Sequence, residues 1–93
     1  MKAYKLLEKP EAWTQGAFAR DKEHNSISSL SDEACCWCAR GAMEKCYPGQ
    51  NIFPALDRMW DALGKKYGSI MTWNDEAKRT HAQVVAMLKK ANV

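Results

Sequence analysis

Residues 31–47, SDEACCWCARGAMEKCY, hold all four cysteines of the chain, a tryptophan set among them and the clearest helix start in the sequence. Ser31 can act as an N-cap, its hydroxyl accepting from free backbone N–H groups two or three residues on. Asp32 and Glu33 would then lie in the first turn, where the helix dipole favours negative charge. Leu30 and Cys35 take the two positions of a hydrophobic staple. Pro48-Gly49 closes the stretch, because proline cannot continue a helix and glycine accepts a left-handed turn. The spacing therefore predicts a helix from Ser31 to the Pro-Gly pair.

On that helix Cys38, Ala42, Cys35, Cys46, Ala39, Met43 and Cys36 share one arc of mostly small side chains. Arg40, Glu33 and Glu44 mark the opposite side. Trp37 falls there too, beside Gly41, so the rest of the chain must cover it or it forms a contact surface.

Working outward, Lys2 to Glu8 reads as a short helix stopped by Lys9-Pro10, with Ala3, Leu6 and Leu7 on one side. The segment from Trp13 to Asp21, WTQGAFARD, has neither helical nor strand period, with Trp13 and Phe18 expected in the core. Lys22 to Ser29 is polar and turn-rich and reads as a loop. Asn51 caps a third helix with Pro54 in its first turn. Ile52, Leu56, Met59, Trp60, Leu63 and Tyr67 make a narrow apolar arc opposite Asp57, Arg58, Asp61 and Lys65, and Gly64 or Gly68 ends it. Ser69 to Trp73 reads as extended. Thr80-His81-Ala82-Gln83 is a capping box for a last helix that buries Val84, Val85, Leu88 and Ala91, with Asn74 as the rival start. The expected architecture is mainly α: one domain, residues 1–93, of about four helices with a long irregular segment between the first and second.

Composition bounds the function classes. The chain has 93 residues, 46% hydrophobic and 27% charged, with a net charge of +3. No apolar run approaches the ~20 residues that span a bilayer, and MKAYKLLEKPEAW has no apolar leader core, so no membrane role and a cytoplasmic location are expected. The basic pairs Lys65-Lys66, Lys78-Arg79 and Lys89-Lys90 are separated by acids, which suits a solvated face better than a nucleic-acid stripe.

Few residues suggest chemistry. Cys35-Cys36-Trp37-Cys38 contains a C-x-x-C, which near a helix N-terminus can act in thiol exchange through depressed pKa values. A serine-rich loop precedes it, however, where redox folds place a strand, and buried small side chains fit the apolar arc better. Zinc would need Cys46, His24 or His81 recruited singly to complete four ligands, so neither metal nor cofactor is expected. Asp21, Glu44 and Asp75 are carboxylates with no spacing that unites them, and the chain reads as non-enzymatic. The distinctive residues are polar groups beside aromatics: Trp13, Gln15, Arg20 and Asp21; Trp37 and Arg40; Trp73, Asn74 and Asp75.

The blocks WTQGAFARD, SDEACCWCARGAMEKC and WNDEAKRTHAQVVAML, over most of the chain in order, resemble a family of small bacterial and phage proteins with a domain of unknown function. Its sharpest motifs are W-T-Q-G-x-[FY]-A-R-D and W-C-A-x-G-A. Members usually carry Pro-Gly just before the last R-T, where this chain has Ala77-Lys78, so the resemblance implies a turn there. It implies no activity, cofactor or substrate.

Two readings of the polar and aromatic residues compete. In one, Arg20 and Asp21 pair with Arg40 or Asp75 as a structural network, which the small size of the chain favours. In the other the tryptophans build a pocket with Gln15, Arg20, Arg40 and Asn74 as its polar lining. The functional expectation is an interaction module that binds a protein partner or itself, with Trp37, Tyr47 and Tyr67 as exposed anchors and a sizeable apolar patch. One alternative is an anion or nucleotide site lined by Trp13, Arg20, Trp37 and Arg40. Another is thiol or metal chemistry at Cys35–Cys38.

Overall fold

The computed structural model describes residues 1–64 and 68–93. The expectations for Lys65, Lys66 and Tyr67 lie outside the described residues. Five α-helices and a small antiparallel sheet make up the described chain. Helix α1 is Ala3–Leu6, followed by a 3-10 turn at Pro10–Ala12. Strands β1 (Ala19–Arg20), β2 (Ser26–Ile27) and β3 (Cys36–Trp37) come next, and then α2, Ala39–Cys46. The chain finishes with α3 (Ile52–Ala62), α4 (Ile70–Asn74) and α5 (His81–Ala91).

The central helix starts seven residues later than its sequence signals, with its N-cap at Cys38 rather than Ser31. Ser31 does use its hydroxyl as a cap, but for one turn only, accepting from Glu33 N at 3.1 Å. The N–H groups beyond it are taken by a strand: Cys35 N donates to Arg20 O at 2.9 Å and Cys38 N to Phe18 O at 3.1 Å. A backbone N–H spent on a ladder cannot also close a helical turn. Cys38 becomes the N-cap instead, its Sγ accepting from Gly41 N at 3.2 Å. Leu30, half of the expected staple, is 55% exposed.

The expected irregular segment contributes β1 and β2, and the start of the expected central helix contributes β3, to a sheet ordered β2-β1-β3, with Ala19 opposite Ile27 on one side and Trp37 on the other. β2 lies within the stretch expected to be a loop. Ala17 and Ala19 face the core, whereas Phe18 is 38% exposed, contrary to expectation. Alternation along an extended chain explains this: burying 17 and 19 turns 18 outward. The carbonyl of Phe18 lies directly over α2 at Gly41, where an added Cβ would come within 2.0 Å of it. Only glycine lets the strand approach the helix this closely.

Ser69–Trp73 is helical rather than extended, because Ser69 caps α4 by accepting from Thr72 N at 3.0 Å. The Thr80 capping box forms as expected. Thr80 Oγ1 accepts from Gln83 N at 3.2 Å, and Gln83 Oε1 accepts from Thr80 N at 3.1 Å. Asn74, the rival start, ends α4, and a turn at Ala77-Lys78 separates the two helices. The core joins Leu7, Trp37, Met43, Met59, Trp73, Val84 and Leu88, with α3 against α5 and α1 against both α2 and α5. No described helix is long and apolar enough to cross a membrane.

Candidate functional site

Of the residues singled out in the sequence, Trp13, Gln15 and Asp75 converge on Asn74, which is 0% exposed. Its Oδ1 accepts from Trp13 Nε1 at 2.8 Å and from Ala39 N at 3.0 Å. Its Nδ2 donates to Thr14 O at 3.2 Å and to Asp75 Oδ1 at 2.9 Å. That uses both hydrogens and both acceptor positions of one amide. Gln15 adds a second layer, Nε2 donating to Asn74 O at 2.8 Å and Glu76 O at 2.9 Å. Asp75 Oδ1 also takes Gly16 N at 3.1 Å. One side chain at the end of α4 therefore ties together the 13–16 segment and the start of α2.

Arg20 and Asp21 do not form the expected ion pairs with Arg40 or Asp75. Arg20 donates instead to Thr14 Oγ1, Gln15 O and His24 O, each at 3.1 Å, which braces the segment between the 3-10 turn and β1. Asp21 closes its own turn, accepting from Asn25 N at 2.9 Å and Glu23 N at 3.0 Å. The Asn25 N–H, above all, lowers its pKa below the ordinary value by favouring the charged carboxylate.

Trp37 is 8% exposed, so it is no surface anchor. It lies on β3, with Nε1 donating to Ser29 O at 3.0 Å. Ser29 Oγ donates to Glu44, and the other oxygen of Glu44 holds Arg40 Nη1 at 3.1 Å. Tyr47 is half-buried. Trp73 is buried beneath Arg79, whose guanidinium stacks 4.4 Å from the ring and donates from Nε to Trp73 O at 2.9 Å. Trp13, Arg20, Trp37 and Arg40 thus serve different contacts and do not line one anion pocket.

The cysteines are free thiols. Cys35 is exposed, its Sγ 3.5 Å from Arg20 O. Burial pushes the Cys36 thiol up, helped by the neighbouring Cys35, and burial likewise raises Cys38 and Cys46. Thiol exchange needs the opposite shift. Among the described residues no group of three His, Cys, Asp or Glu is placed to hold a metal.

A different feature forms the open surface. Phe18, Leu56, Trp60, Ile70 and Met71 line a groove of about 430 Å³ between β1, α3 and α4, with Arg40, Asp57 and Ser69 among its polar lining. Along α3, Phe53, Leu56 and Trp60 stand at helical spacing on one stripe, and Phe53 is 61% exposed. A family model described as a family of unknown function (DUF6197) matches residues 1–92. The chain belongs to that family. No curated protein and no solved structure matches this DUF6197 chain.

Leu56 and Trp60 belong to the core arc in the sequence reading, yet both are only half-buried. Phe53 lies outside that arc and is exposed. The signal was available: apolar residues cover both 52, 55, 59 and 63 and 53, 56 and 60, more of the helix than one buried face needs.

Proposed function

We propose that this DUF6197 chain is a non-enzymatic interaction module whose binding face is the groove between α3, α4 and Phe18. One observation carries this reading. Trp13, Gln15 and Asp75 bond Asn74, and Arg20, Asp21 and Arg40 bond other groups within the chain, whereas Phe18, Phe53, Leu56, Trp60 and Met71 remain at the surface. Large apolar side chains grouped on a surface mark sites where another molecule removes them from water. Their aromatic and methionine content matches the composition of interface centres.

A photo-crosslinking amino acid at Phe53 tests the reading in cells. The expected result is a discrete protein adduct that Trp60→Ala suppresses and that the same probe at exposed Lys78 does not give. Identical adducts at both positions, or none at Phe53, overturn it. A second reading, a small apolar ligand, is supported by the groove volume of about 430 Å³, which falls in the range such ligands fill. Native mass spectrometry of the purified chain distinguishes the two, since a retained ligand adds a fixed small mass.

A further inference from the structure

Resting on the reading of the α3 groove as a binding face, we infer that its occupant is a segment of a partner protein that sets a basic side chain beside an apolar one. The shape argues for a segment. Phe53 and Trp60 are seven residues apart on α3, so the apolar stripe runs about 10 Å along the helix at 1.5 Å per residue. That suits a pair of side chains from a helix or an extended strand.

Charge supplies the second half. Among the described residues, two charged side chains line the groove, Arg40 and Asp57. The guanidinium of Arg40 is already matched by Glu44 at 3.1 Å, and Ser29 holds the remaining oxygen of that carboxylate. Asp57 is exposed and makes no hydrogen bond or ion pair with the described residues. Among the described residues the groove therefore presents one unmatched charge, the Asp57 carboxylate, on a chain whose net charge is +3. An acidic segment would meet an unpaired carboxylate and a cation that is already taken. A lysine or arginine would find Asp57 free, with the Trp60 indole near enough in sequence to share its stem.

The test is selection of random 12-residue peptides displayed on phage against the full chain, followed by titration calorimetry of the enriched peptides. The expected peptides pair an aromatic or aliphatic residue with Lys or Arg. Their affinity falls about ten-fold or more with Trp60→Ala, the loss of a central aromatic anchor. It falls about two- to five-fold with Asp57→Asn, the range of an exposed ion pair, and weakens further with salt. Asp57→Lys, at an exposed position that leaves the core untouched, reverses the preference toward acidic peptides.

Peptides that lose affinity with Trp60→Ala but ignore Asp57→Asn and Asp57→Lys overturn the charge inference and leave the groove as a binding face. No enrichment, or binding indifferent to Trp60→Ala in a folded variant, overturns both. Sedimentation showing self-association that Trp60→Ala abolishes puts a second copy in the groove and overturns the basic partner segment.

Discussion

Trp13 and Asn74, 61 positions apart in the chain, meet through an indole N–H donating to an amide oxygen at 2.8 Å. The same oxygen accepts the first backbone N–H of α2, from Ala39. A single acceptor thus fixes the angle between the N-terminal segment and the helix that follows the sheet.

Replacing Asn74 by Ala should be among the most damaging single changes in the chain. It strands the half-buried Trp13 indole N–H and the buried Ala39 N–H, the latter costing about 1–3 kcal/mol and the former less, and leaves a cavity. A loss of about 3 kcal/mol or more is expected in urea unfolding. A loss under 1 kcal/mol would show that water replaces the amide.

Gly41→Ala sets two effects of opposite sign against each other. Alanine in a helix interior gains about 1 kcal/mol over glycine. The added Cβ, however, would lie 2.0 Å from the Phe18 carbonyl oxygen, a backbone atom that cannot step aside without separating β1 from α2. The clash should win by about 2 kcal/mol or more. Gly68→Ala, with nothing within 4 Å of its Cβ, is the matched control and should change stability by less than about 0.5 kcal/mol. Thermal melts of the two variants decide it.

Asp21 should leave a mark on acid stability. Its folded pKa lies below the ordinary 3.8, chiefly because Asn25 N–H bonds the carboxylate. A group depressed on folding stabilises above its unfolded pKa, and that contribution is lost as pH falls through the folded value. Denaturant midpoints measured from pH 5 downward should therefore fall less steeply below about pH 4 in Asp21→Asn than in the parent chain. Parallel curves would mean that the turn forms equally well with the carboxyl protonated.

The thiols should react in a fixed order. Cys35 is exposed, whereas Cys36 and Cys38 are buried and burial holds their thiols protonated. Ellman's reagent on the native protein should release about one equivalent quickly, with half-buried Cys46 following more slowly and Cys36 and Cys38 only on unfolding. A Cys35→Ser variant should lose the fast phase. Two fast equivalents that persist in a Cys46→Ser variant would restore the case for exchange chemistry at the C-x-x-C.

The features legible from sequence are those whose physics closes within a few residues. The Thr80 capping box needs only Thr80 and Gln83, and it forms as its spacing implies. Helix α3 carries enough turns for its period to show, from Ile52 to Leu63. Helix α4, at five residues, is too short to display a period, and it depends on Ser69 and Thr72. The late start of α2 was hidden for a different reason. Ser31, Asp32 and Glu33 do favour a helix locally, but Cys35 N–H is claimed by Arg20, fifteen positions earlier, and no local pattern reports that pairing. The sequence singles out Trp13, Gln15, Asn74 and Asp75, which do gather in space. Trp37 and Arg40 join a separate chain through Ser29 and Glu44, and the groove along Leu56 and Trp60 emerges only once α4 is placed.

The Asn74 junction also sets an order of events on the ribosome. Trp13, Thr14 and Gln15 are made early, but the amide they bond emerges about sixty residues later, and His81, which meets Leu7 O at 2.6 Å, later still. Until then the 13–20 segment holds polar groups and an indole with no permanent partner, and helix α2 lacks one of the contacts that fixes its first turn. The nascent chain must therefore remain unfinished until α4 has left the exit tunnel, and any truncation before residue 74 yields a species that exposes Trp13 to chaperones and proteases.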